Sequence, residues 1–179
     1  MGFFDDAPRY EGGRRGDPWE PAVAEFPCAV ASSAVVLART EAVAVAVIGV
    51  WAFRAGFEFW MSAQFHHAQP PASGDMAPQE SAHIGLQFAD GRKAANFGGG
   101  PALAGGTEPG VVLMPVGLGG GLRYRSWSYW VWPLPPAGPV TFVCEWAAAG
   151  IAEARADLDA QLILDAAGQS VPLWPEGNR

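Results

Sequence analysis

Apolar and polar residues alternate with a period of two through most of the chain from position 23 onward. The clearest case is Phe57–Phe65. Phe57, Phe59, Met61, Ala63 and Phe65 share one side; Glu58, Trp60, Ser62 and Gln64 share the other. Just before it, residues 42–53 interleave Val43, Val45 and Val47 with Ala44, Ala46 and Ile48, which predicts a strand buried on both faces. Arg54, Ala55 and Gly56 join the two runs into a β-hairpin. A short strand is expected at 34–38. Another is expected where Ile84, Leu86 and Phe88 alternate with His83, Gly85 and Gln87. Asp90-Gly91 is a strong turn signal, with a returning strand over 92–97.

The segment from Trp127 to Trp146 holds four of the eight tryptophans, so it dominates any aromatic chemistry. Alternation divides it into two strands. Over 123–132, Arg125, Trp127, Tyr129 and Val131 share one face, and Ser126, Ser128, Trp130 and Trp132 the other. Residues 133–139 are proline-rich and cannot continue a ladder, because proline has no N–H. Residues 140–146 then direct Val140, Phe142, Cys144 and Trp146 inward and leave Thr141, Val143 and Glu145 on the opposite face. A last short strand is expected at 155–158. Asp159 is placed to cap a helix over Ala160–Ala167 ending at Gly168, with Leu162, Ile163 and Ala166 toward the sheet. A hairpin turning at Ala167-Gly168 is the alternative for this stretch. Trp174 is expected to pack back onto the domain.

Closely spaced strands separated by turn signals, with no helical segment before residue 150, predict an all-β fold. The expectation is an antiparallel, immunoglobulin-like β-sandwich with a short C-terminal helix. Residues 1–22 lack periodicity and are expected to form an extended or disordered arm, leaving a single domain over 23–179. Residues 98–121 are dominated by glycine. They are expected to form a mobile loop inside the domain, with an edge strand as the most that its apolar island at 111–114 supports.

The 179 residues carry a formal net charge of −7, so the surface repels phosphates and a nucleic-acid partner is not expected. The longest apolar run, 42–53, is too short to span a bilayer, and the acidic start MGFFDD lacks the basic region of an export signal. The cytoplasm is therefore the expected location, with no membrane partner and with reduced thiols. Cys144 reads as a buried thiol, a Cys28–Cys144 bridge being the alternative.

Candidate chemistry is sparse. The glycine stretch does not match a phosphate-binding GxxxxGK[ST] pattern and lies in no βαβ unit. His66 and His67 are adjacent, hence on opposite faces of a strand. His83 with one of them and Glu58 or Asp90 is the only metal set to consider, without ligand spacing to support it. Ser62, Ser81 and Cys144 lack the framing of a nucleophile, and Glu58, Glu145 and Glu153 are the carboxylates available to a glycosidase-like pair. Glu145, if buried, needs a partner such as Arg125 or Arg155. No catalytic residue, metal or cofactor is therefore assigned. The expected function is a non-enzymatic binding or scaffolding module acting through protein–protein contacts. The alternative is a small-ligand or carbohydrate site built on surface aromatics, with a hydrolase centred on Glu145 or the histidines as the third reading. The candidate binding residues are Trp127, Tyr129, Trp130, Trp132, Arg125 and Glu145. Everything turns on whether Trp130 and Trp132 are covered or open.

Several blocks also carry a family resemblance: MGFFDD, LARTEAVAVAVIGVWAFRAGFEF, HIGLQFADGRKAANF, a glycine-rich stretch, WVWPLPPAGP and VPLWPE. In this order they resemble a family of uncharacterised actinobacterial proteins over nearly the whole chain. Ala147 and Ala152 stand where that pattern has proline. The resemblance implies a shared fold and an actinobacterial source, and no activity or site residues.

Overall fold

A computed structural model of the chain describes Pro21 and residues 25–32, 34–68, 82–96 and 110–174. The strands are β1 (Glu25–Phe26), β2 (Cys28–Ala29), β3 (Val35–Arg39), β4 (Val43–Ala52), β5 (Phe57–Phe65), β6 (His83–Gln87), β7 (Lys93–Ala95), β8 (Val112–Gly121), β9 (Tyr124–Trp132), β10 (Pro139–Trp146), β11 (Ile151–Asp159) and β12 (Val171–Pro172). One helix, α1 (Ala160–Ala167), follows β11. The fold is an antiparallel β-sandwich with a short C-terminal helix. The larger sheet runs β2-β4-β5-β9-β8, with β3 also paired to β4; the smaller runs β11-β10-β6-β7. β1 and β12 form a separate two-stranded ribbon. The arm expected over 1–22 lies outside the described residues except for Pro21, as do residues 97–109.

The period-two faces meet in the middle. Phe57, Phe59, Met61 and Ala63 of β5, Val43, Val45, Val47 and Val50 of β4, and Tyr129 and Val131 of β9 face Ile84, Leu86, Val140, Phe142 and Cys144 of the smaller sheet. Burying each large apolar side chain contributes about 1.5–3 kcal/mol, so this interface holds the sheets together. Phe59 is its aromatic centre, 5.3 Å from the Tyr129 ring and 5.0 Å from that of Phe142. The chain crosses between sheets after β5, β7 and β9, the last time through the proline-rich segment, which opens with a cis Trp132–Pro133 bond.

The hairpin of β4 and β5 forms as the alternation predicts, but β4 is not buried on both faces. The register slips between Val47 and Gly49, and Ile48 is 53% exposed on the outer side. A bulge there puts the extra residue on a face that no other layer covers among the described residues. The glycine-rich stretch differs more. Gly117–Gly121 are not loop but the second half of β8, pairing Gly117 with Ser128, Gly119 with Ser126 and Gly121 with Tyr124. Glycine is a poor strand former, so β9 supplies the ladder that the local sequence does not encode.

At the C-terminal end Asp159 caps α1 as expected, its Oδ1 accepting the Gln161 N–H at 2.9 Å. Ala160, Ile163, Ala166 and Ala167 form the buried stripe. Leu162 sits on the flank of that stripe and is exposed, against the expectation that it faces the sheet. Trp174 does not pack back either; it is 68% exposed. Cys28 and Cys144 are both free thiols. Burial, with a smaller contribution from the Glu145 carboxylate, pushes the Cys144 thiol up to about 12. Among the described residues no helix is long and apolar enough to cross a membrane.

Candidate functional site

The six aromatic, basic and acidic candidates divide between structural roles and surface ones. On the inner face of β9, Tyr129 is buried. Its hydroxyl accepts a hydrogen bond from Asn96 Nδ2 at 3.0 Å. Asn96 also donates to the Ala82 carbonyl and accepts from the Ile84 N–H, so it ties the end of β7 to β6 and β9. Burial raises the Tyr129 phenol to about 12, against the lowering effect of Asn96. Trp127 is half-buried and meets Trp146 edge-on at 6.0 Å, which closes one end of the sandwich. Arg125 lies over the Phe65 ring at 5.9 Å, a cation–π contact. Tyr129 therefore belongs to the core and offers nothing to a ligand.

The outer face of the larger sheet holds the pair on which the aromatic reading turns. Trp130 is 1% exposed. Phe53 stands edge-on to it at 5.2 Å, and the turn at Gly56 approaches so closely that a Cβ there would fall 2.8 Å from the indole. Met114 is its cross-strand neighbour on β8. Trp132, opposite Val112, is half-buried. Trp130 is thus a covered ring, not a binding surface.

Further along the same face the surface opens, and the exposed ring there is Trp60. It is 43% exposed. Its indole N–H donates to Glu58 Oε1 at 2.6 Å, and the Trp51 ring lies 5.2 Å away at 53°. These two contacts fix the orientation of the indole. Beside it lies a shallow groove of about 210 Å³, lined by Trp60, Gly117, Leu118, Gly119, Ser126, Trp127 and Ser128. The groove exists because β8 contributes only glycines, Gly117 and Gly119, to this part of the face. Cβ atoms at Gly117 and Gly119 would lie 2.6 Å from Ser128 Oγ and 2.9 Å from Ser126 Oγ. The serine hydroxyls occupy the space that side chains of β8 would need. Ser128 is 8% exposed, and its hydroxyl has no hydrogen bond among the described residues. A buried hydroxyl left in that condition costs about 1–3 kcal/mol, so its position at the groove floor calls for a partner from outside.

Trp60 was legible from the alternation in Phe57–Phe65, which puts it opposite the core residues. The tryptophan-dense segment downstream draws attention away from it.

Glu145 meets His83, across the ladder, at 3.8 Å, rather than Arg125 or Arg155. Arg155 instead binds Glu153 at 2.8 Å, and Arg125 belongs to the other sheet. Both members of the His83–Glu145 pair are substantially exposed, on the outer face of the smaller sheet. Cys144 points the opposite way into the core, and Thr141 donates its hydroxyl to Asp157 at 2.6 Å. Ser62 accepts from Gln64 Nε2 on the larger sheet. Glu58 and Glu145 lie on different sheets, so they do not flank a common bond. Ser81 lies outside the described residues. Among the described residues no three His, Cys, Asp or Glu side chains are grouped to hold a metal ion.

Compared with known protein families, curated proteins and solved structures, the chain matches none.

Proposed function

We propose that this protein is a non-enzymatic binding module of the cytoplasm that receives an extended segment of a partner protein along the open edge of β8. The observation that carries the reading is the edge itself. β8 pairs with β9 on one side and, among the described residues, ends the sheet on the other. Val116, Leu118 and Leu122 stand exposed along it, Leu118 at 80%. Natural edges are guarded by charge, proline or a bulge, because an unpaired row of N–H and C=O groups templates another strand. Pro115 and the register shift beside it guard the middle of β8. Beyond them, Gly117 to Leu122 carries no charge and no proline. Main-chain pairing to such an edge supplies affinity, and side chains on alternate residues of the guest supply selectivity.

The separation of the candidate catalytic groups onto different faces favours a binding role over a hydrolytic one. The two free thiols, one of them buried in the core, fit a reducing compartment.

A benzophenone side chain at position 118, activated in an extract of the producing cells, tests the reading. A discrete protein adduct is expected there, and Val116→Lys with Leu122→Lys removes it by guarding the edge. The control is position 36, another exposed apolar site, on β3. Absence of a discrete adduct at 118, or the same adducts at 36, contradicts the reading.

A further inference from the structure

We propose that the groove beside Trp60 is a binding site for a neutral sugar ring. This goes beyond the docking role of β8 and does not depend on it.

Three features define the ligand. First, among the described residues no charged side chain lines the groove, so a phosphate, a carboxylate or a cation would lose its hydration without a counter-charge from them. Glu58, on the same strand as Trp60, has a carboxylate oxygen engaged by the indole N–H. Second, that same hydrogen bond leaves Trp60 with only its ring to offer. An aromatic face recognises a flat, weakly polar surface, such as the C–H face of a pyranose. Trp51 supports the ring from the neighbouring strand β4, so it is held ready rather than ordered on binding. Third, the floor is polar without being charged. Ser128 is more than nine-tenths buried and its hydroxyl lacks a partner among the described residues; Ser126 lies beside it, two residues along the same face of β9. A sugar hydroxyl both donates and accepts, which is what an unpaired serine hydroxyl needs.

The size agrees. The groove equals about seven water molecules of liquid volume, enough for one six-membered ring with its hydroxyls. Gly117 and Gly119 keep the floor low, and any side chain there would meet the serine hydroxyls. A mostly apolar wall with a few fixed polar groups is the ordinary make-up of a small-ligand site.

The ring has two possible sources, a free monosaccharide or the end of a neutral glycan. The test uses glucose, galactose, mannose and N-acetylglucosamine, together with maltose and cellobiose, titrated into isotope-labelled protein followed by amide and indole NMR. The expected result is saturable shifts at Gly117, Gly119, Ser128 and the Trp60 indole with at least one of these sugars. Tighter binding of a disaccharide than of its monosaccharide assigns the glycan source; equal binding assigns the free sugar. Trp60→Ala abolishes the shifts, and Ser126→Ala with Ser128→Ala weakens binding at least tenfold. The amide spectrum of each variant reports that it is folded. Absence of saturable shifts with the whole set overturns the proposal. So does unchanged binding by a folded Trp60→Ala protein, or a preference for glucuronate over glucose. Failure here leaves the adduct at position 118 untouched, so the two readings fail separately.

Discussion

The outer face of the larger sheet has a closed half and an open half, and the residues of β8 draw the line between them. In the closed half, β8 supplies Val112 and Met114, the 53–56 turn supplies Phe53, and Trp130 between them is buried as completely as any core residue. In the open half, β8 supplies Gly117 and Gly119. Trp60 stands in solvent there beside a groove floored by serines. The same two strands run through both halves. Burial of an outer-face tryptophan is thus decided by what the neighbouring edge strand carries, not by the aromatic content of its own strand.

The sharpest way to break this comparison is to add one carbon to each half. At Gly56 a Cβ would lie 2.3 Å from the Val131 carbonyl oxygen and against the Trp130 ring, so neither backbone nor side chain can yield. Gly56→Ala is expected to cost about 3 kcal/mol or more in denaturant unfolding.

The inner face sets the next effect. Tyr129 and Cys144 ordinarily titrate near 10.0 and 9.0, and burial raises each to about 12. Both are neutral when folded, so the stability they confer is complete below pH 9 and is lost as pH rises through about 12. The slope reaches roughly 1.4 kcal/mol per pH unit for each group. Unfolding followed from pH 8 to 12 should fall steeply. In Tyr129→Phe with Cys144→Ala the slope should flatten, whatever the starting stability. An unchanged slope contradicts the burial argument.

Gly117→Ala sharpens the open half. Its Cβ meets only the Ser128 hydroxyl, which can rotate, so a cost of about 1 kcal/mol or less is expected alongside loss of groove volume. A cost matching that of Gly56→Ala removes the distinction between the halves. Ser128→Ala has the smallest effect and the most informative sign. Removing a buried hydroxyl without a partner is expected to leave stability unchanged or raise it by up to about 1 kcal/mol. A clear loss shows that the hydroxyl is already satisfied.

Much of the sandwich was legible because period-two alternation is strict wherever one face is buried. Phe57–Phe65, the paired faces of β9 and β10, the Asp90-Gly91 turn and the Asp159 cap follow from local rules, and Cys144 follows from its place beside Phe142 and Trp146. The second half of β8 does not. Five residues that include four glycines carry no strand signal, and only the register with β9 reveals them as strand. The state of the outer face was not legible for the same reason. Alternation puts Trp130 and Trp132 on one face and leaves open whether they are covered. Neither Phe53 over Trp130 nor the missing side chains beside Trp60 can be read without knowing which strand lies next to which. Leu162 and Trp174 show the reverse error, apolar residues assigned to the interior that the packing leaves outside.

The most direct test of the division is a side-by-side unfolding measurement of Trp130→Ala and Trp60→Ala. The closed half predicts a loss of about 3–5 kcal/mol for Trp130→Ala, and the open half predicts less than about 1 kcal/mol for Trp60→Ala. Equal losses would show that Trp60 is a structural residue and that the face has no open half.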